Sequence, residues 1–366
     1  MVCVSVVMPS YNHARFIAQA IKSVLHQSMG DIELIVVDDQ SQDNSNAIIA
    51  SIDDPRLRHI RLSKNVGACA AMNIAISHCT GEYIAICNSD DIWERHKLER
   101  QLAVIKTMPE VGAIFSDVSW INDNGKELKG AALPHFSTVF AQPNRSRYGW
   151  IRHLIETGNC LCHPSALIRR TVFETLGAYN NMLRQLPDLD MWLRVVQAYE
   201  IHVMRDRLVR FRIHANNTSQ PNDINTLRTW REHTLIANSF FDEVSQDNFY
   251  HAMGIADFVS FHDEHPATFT REKVAYLTRS SCTFRKLFLK IGIDMAYRCS
   301  LKYKAPILSA LEFHALTASQ ALIEAQPLIT TRPLGRRLLR HIIGPVMYER
   351  LRALRLHANK NLLPLL

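Results

Sequence analysis

Four short runs rich in β-branched residues, Val4 to Met8, Leu34 to Val37, His59 to Leu62 and Tyr83 to Cys87, alternate with helix-period segments through the first hundred residues. This alternation is the signature of parallel βαβ units, and it constrains the fold more than any other feature of the chain. Between the first two runs, Ile17, Ala20, Ile21, Val24 and Leu25 fall at i, i+3, i+4, i+7 and i+8, so one helix face covers the sheet. Between the last two, a helix from about Ala68 to His78 ends near Gly81, read here as its terminator. From about Glu110 to Asn217 the pattern is mixed. Val111 to Ile121 and His163 to Arg169 read as strands, and Leu189, Trp192, Leu193 and Val196 form a helical stripe. Leu208 to Ile213 reads as a last strand before the polar loop Ala215-Asn216-Asn217-Thr218-Ser219. Beyond about Asn222 strand signals stop. The expected architecture is α/β, a mostly parallel central sheet flanked by helices over residues 1–221, followed by a mainly helical region over 222–366.

With 366 residues and 47% hydrophobic content the chain can bury a sizeable core and is not disordered. Charge interrupts every apolar stretch before the roughly 18 to 20 residues a membrane span needs, and the first residues lack the basic start of a signal peptide. The expected location is cytoplasmic. Eight cysteines are scattered, several inside apolar runs, the habit of reduced thiols. The formal charge of +7 resides in the tail: between Thr331 and Leu366, eight Lys or Arg face Glu349 alone, leaving the rest neutral in sum. Nucleic-acid enzymes spread basic residues over a working face, so no nucleic-acid partner is expected. A basic apolar tail over 331–366 suits a peripheral membrane surface or a partner helix, and equally a solvated cationic helix face.

Three early strands end in polar clusters: Pro9-Ser10-Tyr11-Asn12, Asp38-Asp39 and Asn88-Ser89-Asp90-Asp91. In open parallel sheets, ligands bind at the carboxyl ends of strands. Four aspartates on one rim repel each other unless a cation or ligand donors offset them. Hard oxygen ligands of this kind point to magnesium or manganese, shared with phosphate oxygens. The alternative, each Asp capping the helix that follows, fits one Asp better than two pairs.

The segment from Val4 through Asn12, then Glu33-Leu34-Ile35-Val36-Val37-Asp38-Asp39 with Ser41, Asp43 and Ser45, resembles the opening of family 2 glycosyltransferases, which have the GT-A fold. Asn65-Val66-Gly67 and Gly81-Glu82-Tyr83-Ile84-Ala85 running into Ser89-Asp90-Asp91-Ile92-Trp93 extend that resemblance, which covers roughly residues 3 to 219. It implies an inverting enzyme of bacterial polysaccharide synthesis. Residues 1–105 would then bind a nucleotide-diphosphate sugar, UDP-sugar foremost, and 106–221 a saccharide or lipid-linked saccharide acceptor. Pro9, Ser10, Tyr11 and Asn65 would line the donor pocket, with Asp39 accepting from the base. Asp90 would contact the ribose and Asp91 would ligate Mn2+ or Mg2+.

Downstream, Leu186-Pro187-Asp188-Leu189-Asp190-Met191-Trp192-Leu193-Arg194 is similar to the family's acidic motif, which makes Asp188 the candidate general base. Asp190 would cap the helix or pair with Arg194, four residues on. In Phe211-Arg212-Ile213-His214 the resemblance implies that Arg212 offsets phosphate charge and His214 joins the metal or donates to phosphate. Asn159 and His163-Pro164-Ser165 would border the acceptor cleft, and Gly125 to Tyr148 is a candidate closing loop. The sequence departs from the pattern at Gln40 (usually Gly), Met72 (usually Arg), Asn88 (usually Asp) and Pro187 (usually Glu). Asn88 weakens the charge near the metal, and Pro187 leaves Asp188 without an acidic neighbour in sequence. Two rival readings are a nucleotidyltransferase, which would need a Gly-rich basic loop after the first strand, and a non-catalytic scaffold, which would have no use for Asp39, Asp90, Asp91 and Asp188.

Overall fold

The computed structural model describes residues 2–215, 217, 223–255, 266–303, 308–309 and 312–321. The basic tail 331–366 and Asn216, Thr218 and Ser219 of the polar loop lie outside the described residues. The chain divides into two compact units, Met1–Val259 and Ser260–Leu366.

The first unit is built on β1 (Val4–Ser10), which pairs in parallel with β2 (Ile32–Asp38) on one side and β4 (Tyr83–Ile86) on the other. β3 (Leu57–Arg61) continues the parallel array outside β2. β1, β2 and β4 are almost wholly buried, which is why they read as continuous apolar runs and not as alternating ones. Beyond β4 the sheet continues through β7 (Leu167–Arg169), β6 (Val111–Ile121), β8 (Glu200–Arg212) and β5 (Ile92–Trp93). β7 runs antiparallel to both its neighbours, β6 and β8 are parallel, and β5 is antiparallel to β8. The sheet is thus mostly parallel, as expected.

Around it lie α1 (Ile17–Leu25), α2 (Ser45–Ala50), α3 (Ala68–Ser77), α4 (Lys97–Ile105), α5 (Arg147–Thr157), α6 (Arg170–Leu176) and α7 (Pro187–Ala198). All five periodic residues of α1 are buried. α8 (Asp223–Glu243) and α9 (Gln246–Met253) also belong to this unit, so its compact body extends past the sequence boundary drawn at 221. In the second unit α10 (Pro266–Arg279) and α11 (Arg285–Tyr303) pack together around Val274, Leu277, Phe288 and Ile291.

Three local expectations change. The segment His163 to Arg169 is a strand only over Leu167–Arg169; His163–Ser165 forms a 3-10 turn, because Pro164 has no N–H to offer a ladder. The last strand begins at Glu200, eight residues earlier than expected, since its interleaved charges mask it and two register shifts near Asp117 accommodate it beside β6. Gly81 does not terminate α3, which ends at Ser77 with His78 as its cap. Its reason is proximity: a Cβ there would sit 2.6 Å from the Ser5 backbone N and 2.9 Å from Ser5 Oγ, and Gly81 N–H donates to that same Oγ at 2.8 Å. Gly81→Ala must push β1 away and is expected to cost about 1–3 kcal/mol in urea unfolding.

Candidate active site

β1 and β2 end level, with Ser10 beside Asp38, and the turns that follow are interlocked. Asn12 (φ 56°) and Gln40 (φ 60°) both adopt the left-handed conformation. Asn12 Oδ1 accepts from Gln42 N–H at 2.7 Å, and Asn12 N–H donates to Ser41 Oγ at 2.9 Å. The positive φ explains why glycine is the usual residue at position 40. Gln40 compensates with its side chain, donating to Ser63 O and accepting from Asn65 N–H. Asp39, buried, accepts from Val66 N–H at 2.7 Å and Gly67 N–H at 2.9 Å, while Asn65 Nδ2 donates to Asp39 O. Asp39 therefore holds the loop that opens α3. Ser10 is buried with no partner for its Oγ among the described residues, and Tyr11 stands 44% exposed at the mouth of the same rim.

The turn after β4 meets the end of β8 because β5 pairs Ile92 with Arg210. Arg212 is fully buried, and burial depresses its pKa although Asp91 and Asp90 counter this. Its N–H donates to Asp91 Oδ1 at 2.8 Å, and its Nε to Asp90 O at 2.7 Å. Its Nη1 donates to Asn122 O and Asp123 O, its Nη2 to Gln19 Oε1, and its guanidinium lies over the Phe16 ring. Four of the five guanidinium donors are thus spent inside the fold. Asp91 is 1% exposed, with Asn88 Nδ2 donating to its other oxygen. Burial first, and then the neighbouring Asp90, push its carboxyl well above the usual range.

Asp90 faces the other way. Its Oδ2 lies 2.9 Å from His214 Nε2, and a third potential ligand, His13, completes a group whose donor atoms all lie within 4.8 Å of one another. His13 Nδ1 contacts Ser89 Oγ at 2.7 Å, and burial lowers its pKa so that the ring stays neutral near pH 7. The loop after β8 is pinned by Asn217, whose Oδ1 accepts from His214 N–H.

A third carboxylate stands apart. Asp188 occupies the second position of α7, where Oδ1 accepts from Leu189 N–H at 2.8 Å and Oδ2 from Asn159 Nδ2 at 2.6 Å. Burial raises its pKa from 3.8 to about 6, with Glu232 adding to the rise. Tyr179 lies in its electrostatic reach and bonds His163 Nε2 at 3.0 Å. Asp190 instead pairs with Arg194 at 3.0 Å.

The sequence matches the profile described as Glycosyl transferase family 2 over residues 5–177. An uncharacterized glycosyltransferase of Nostoc sp. is 30% identical over 223 residues, 58% of this chain and 66% of that one. The UDP-Glc:alpha-D-GlcNAc-diphosphoundecaprenol beta-1,3-glucosyltransferase WfgD of Escherichia coli is 36% identical over 121 residues, 33% of this chain and 47% of that one. Among solved structures, S. aureus TarS 1-349 in complex with UDP-GlcNAc superposes with a TM-score of 0.58 at 16% identity, covering 88% of this chain and 86% of that one. The mannosyltransferase PcManGT from Pyrobaculum calidifontis in complex with GDP-Man and Mn2+ superposes with 0.51 at 18%, covering 99% and 88%. The chain belongs to glycosyl transferase family 2. Its fold is that of GT-A glycosyltransferases such as TarS.

Within this family frame the structure brings together Asp90 and His214, and separately Asp39 with Asn65. It does not bring Asp91 or Arg212 to an open surface: Asp91's oxygens are both engaged, and Arg212 braces the turn from beneath. The residue missed in the sequence is His13. It directly follows the Tyr11-Asn12 turn, and its position in that motif was the available signal. Arg212→Met is expected to lose about 3–5 kcal/mol of stability by leaving the Asp90–Asp91 pair uncompensated, with Lys a poor substitute. A variant with unchanged urea stability but abolished UDP binding would instead show a direct phosphate contact.

Proposed function

We propose that this chain transfers a sugar from a nucleotide-diphosphate donor, UDP-sugar foremost, to an acceptor hydroxyl with inversion of the anomeric carbon. The observation that carries this reading is a pair of separate clusters: two imidazoles and a carboxylate converging at His13, Asp90 and His214, and, apart from them at the head of α7, the Asp188 carboxylate with its raised pKa. The proposal assigns residues 1–105, with Pro9, Ser10, Tyr11, Asp39 and Asn65, to the donor and 106–221 to the acceptor. Asp39 keeps lone pairs beyond those taken by Val66 and Gly67 with which to meet an imide N–H.

The His13–Asp90–His214 set fits a divalent cation, since the ligand atoms already converge and His13 is held neutral. Two imidazole nitrogens favour Mn2+ over Mg2+, which prefers an all-oxygen shell, and PcManGT is a Mn2+ complex. When bound there, the cation would offset the charge of the departing diphosphate. Metal ligation is therefore proposed at Asp90 with His214 and His13, in place of Asp91.

In the transfer step the acceptor oxygen bonds to the anomeric carbon as the bond from that carbon to the diphosphate oxygen breaks, its electron pair leaving with the diphosphate. The acceptor proton passes to Asp188, which Asn159 and the start of α7 hold in place. A single displacement inverts the centre. WfgD's named acceptor carries a diphosphoundecaprenol, which supports a lipid-linked saccharide acceptor here and, with it, work at the cytoplasmic membrane face. Among the described residues no helix is long and apolar enough to cross a membrane.

Asp188→Asn is expected to lower transfer by about 10²–10⁴-fold with UDP-sugar affinity unchanged, and the acid limb of the wild-type rate profile should fall near pH 6. A normal rate in the variant would sink the base assignment, and a product of retained configuration by NMR would sink the single displacement. Stability gives an independent check. Because the folded protein holds this carboxyl above its ordinary 3.8, its contribution is intact below pH 4 and lost as pH rises through about 6. Asp188→Asn should therefore melt higher than wild type at pH 8 and not at pH 4.

A further inference from the structure

We infer that Glu232, on α8 and 46 residues downstream of Leu186, is the positioning residue of the Asp188 base. The inference rests on the base role proposed above. Glu232 is 5% exposed and points back into the acidic motif, where Oε1 accepts from Arg184 N–H at 2.9 Å, and Oε2 from Gln185 N–H at 2.7 Å and Leu186 N–H at 2.8 Å. These are the three residues immediately before Pro187 and Asp188. Leu186 is the N-cap of α7 and contributes no side-chain cap, and Pro187 brings no N–H. A carboxylate from another helix thus serves the run of donors that the motif's own side chains leave unserved.

The same loop is clamped at its other end. Asn73 on α3 donates to Tyr179 O at 2.7 Å and to Asn181 Oδ1 at 2.7 Å, and accepts from Tyr179 N–H at 3.0 Å. The 178–186 segment therefore spans from α3, whose entry loop Asp39 holds, to Glu232, and Asp188 follows two residues after the second clamp. Losing Glu232 releases the end nearest the base and leaves the end nearest the donor fixed.

Glu232 also acts through charge. The groups facing Asp188 are Asn159, Tyr179 with His163 behind it, and Glu232, while Asp190 is turned to Arg194 on its own helix and Cys69 of α3 lies against Tyr179. Glu232 is the nearby anion that holds the Asp188 proton more tightly. The acidic neighbour that Pro187 denies Asp188 in sequence is supplied in space from α8.

The test is a comparison of Glu232→Gln, Glu232→Asp and Asp188→Asn full-length proteins in steady-state transfer across pH, with donor KM and melting temperature. Glu232→Gln is expected to lower kcat by roughly 10–100-fold, the scale of a catalytic group misplaced by about an ångström, with donor KM within about twofold of wild type, and to move the acid limb to lower pH. Glu232→Asp should restore the limb to near 6 while recovering only part of kcat. A Glu232→Gln protein that melts lower but keeps wild-type kcat and acid limb overturns the inference. If that variant does not fold, Glu232→Asp decides: a wild-type kcat there overturns it equally. Should Asp188→Asn itself transfer normally, the base assignment fails; an inactive Asp188→Asn beside unaltered Glu232 variants removes the positioning role alone.

Discussion

Asp90 and Asp91 lie side by side and nearly out of water, an arrangement that would be untenable without compensation, and the compensation comes from Arg212. The guanidinium does not pair directly with either carboxylate. It binds the Asp90 carbonyl while the Arg212 backbone N–H takes Asp91 Oδ1, so its charge is buried beneath the turn as a fixed field. The same group ties in the 122–123 turn and Gln19 of α1. Three separate segments are thereby tied to one side chain, and the orientation of Asp90 toward His214 follows. Burying an ion group of this kind is costly in itself, and its return is the geometry it enforces.

Elsewhere on the rim, Asp39 spends its carboxylate on the loop that begins α3, which keeps the strand-end turns rigid beside the exposed Tyr11. Apart from that rim, Asp188 sits part-buried at the head of α7, where desolvation makes it a weak enough acid to exchange a proton near neutrality. Asp91 is bonded to Asn88 and to the Arg212 backbone, while Asp90 beside it turns to His214, so adjacent residues of one type meet different partners.

Much of this was legible beforehand. The apolar runs of β1, β2 and β4 and the single face of α1 were visible because hydrophobic burial imposes a period that sequence records directly. Asp188, Asp90 and His214 were singled out by the family resemblance, Asp90 as a ribose contact and not as a cation ligand. The partners of Arg212 were not, since they come from positions 19, 122 and 123 and no local pattern links those to a strand end. A charged residue at a ligand rim resembles a ligand contact until its donors are counted. Gln40 read as a defect in the motif, yet its side chain ties down the neighbouring loop in return for the strained backbone. The β8 strand was half hidden by its own arginines, and Glu232 lies a whole helix away from the loop it holds.

The central question is which side chains receive the cation. Anomalous diffraction from crystals grown with Mn2+ and UDP measures this directly. A manganese peak bounded by His13, Asp90 and His214 is expected, with Asp91 still bonded to Asn88 and the Arg212 backbone. A peak coordinated by Asp91, or UDP bound in ordered density with no manganese at the three-residue group, would contradict that expectation.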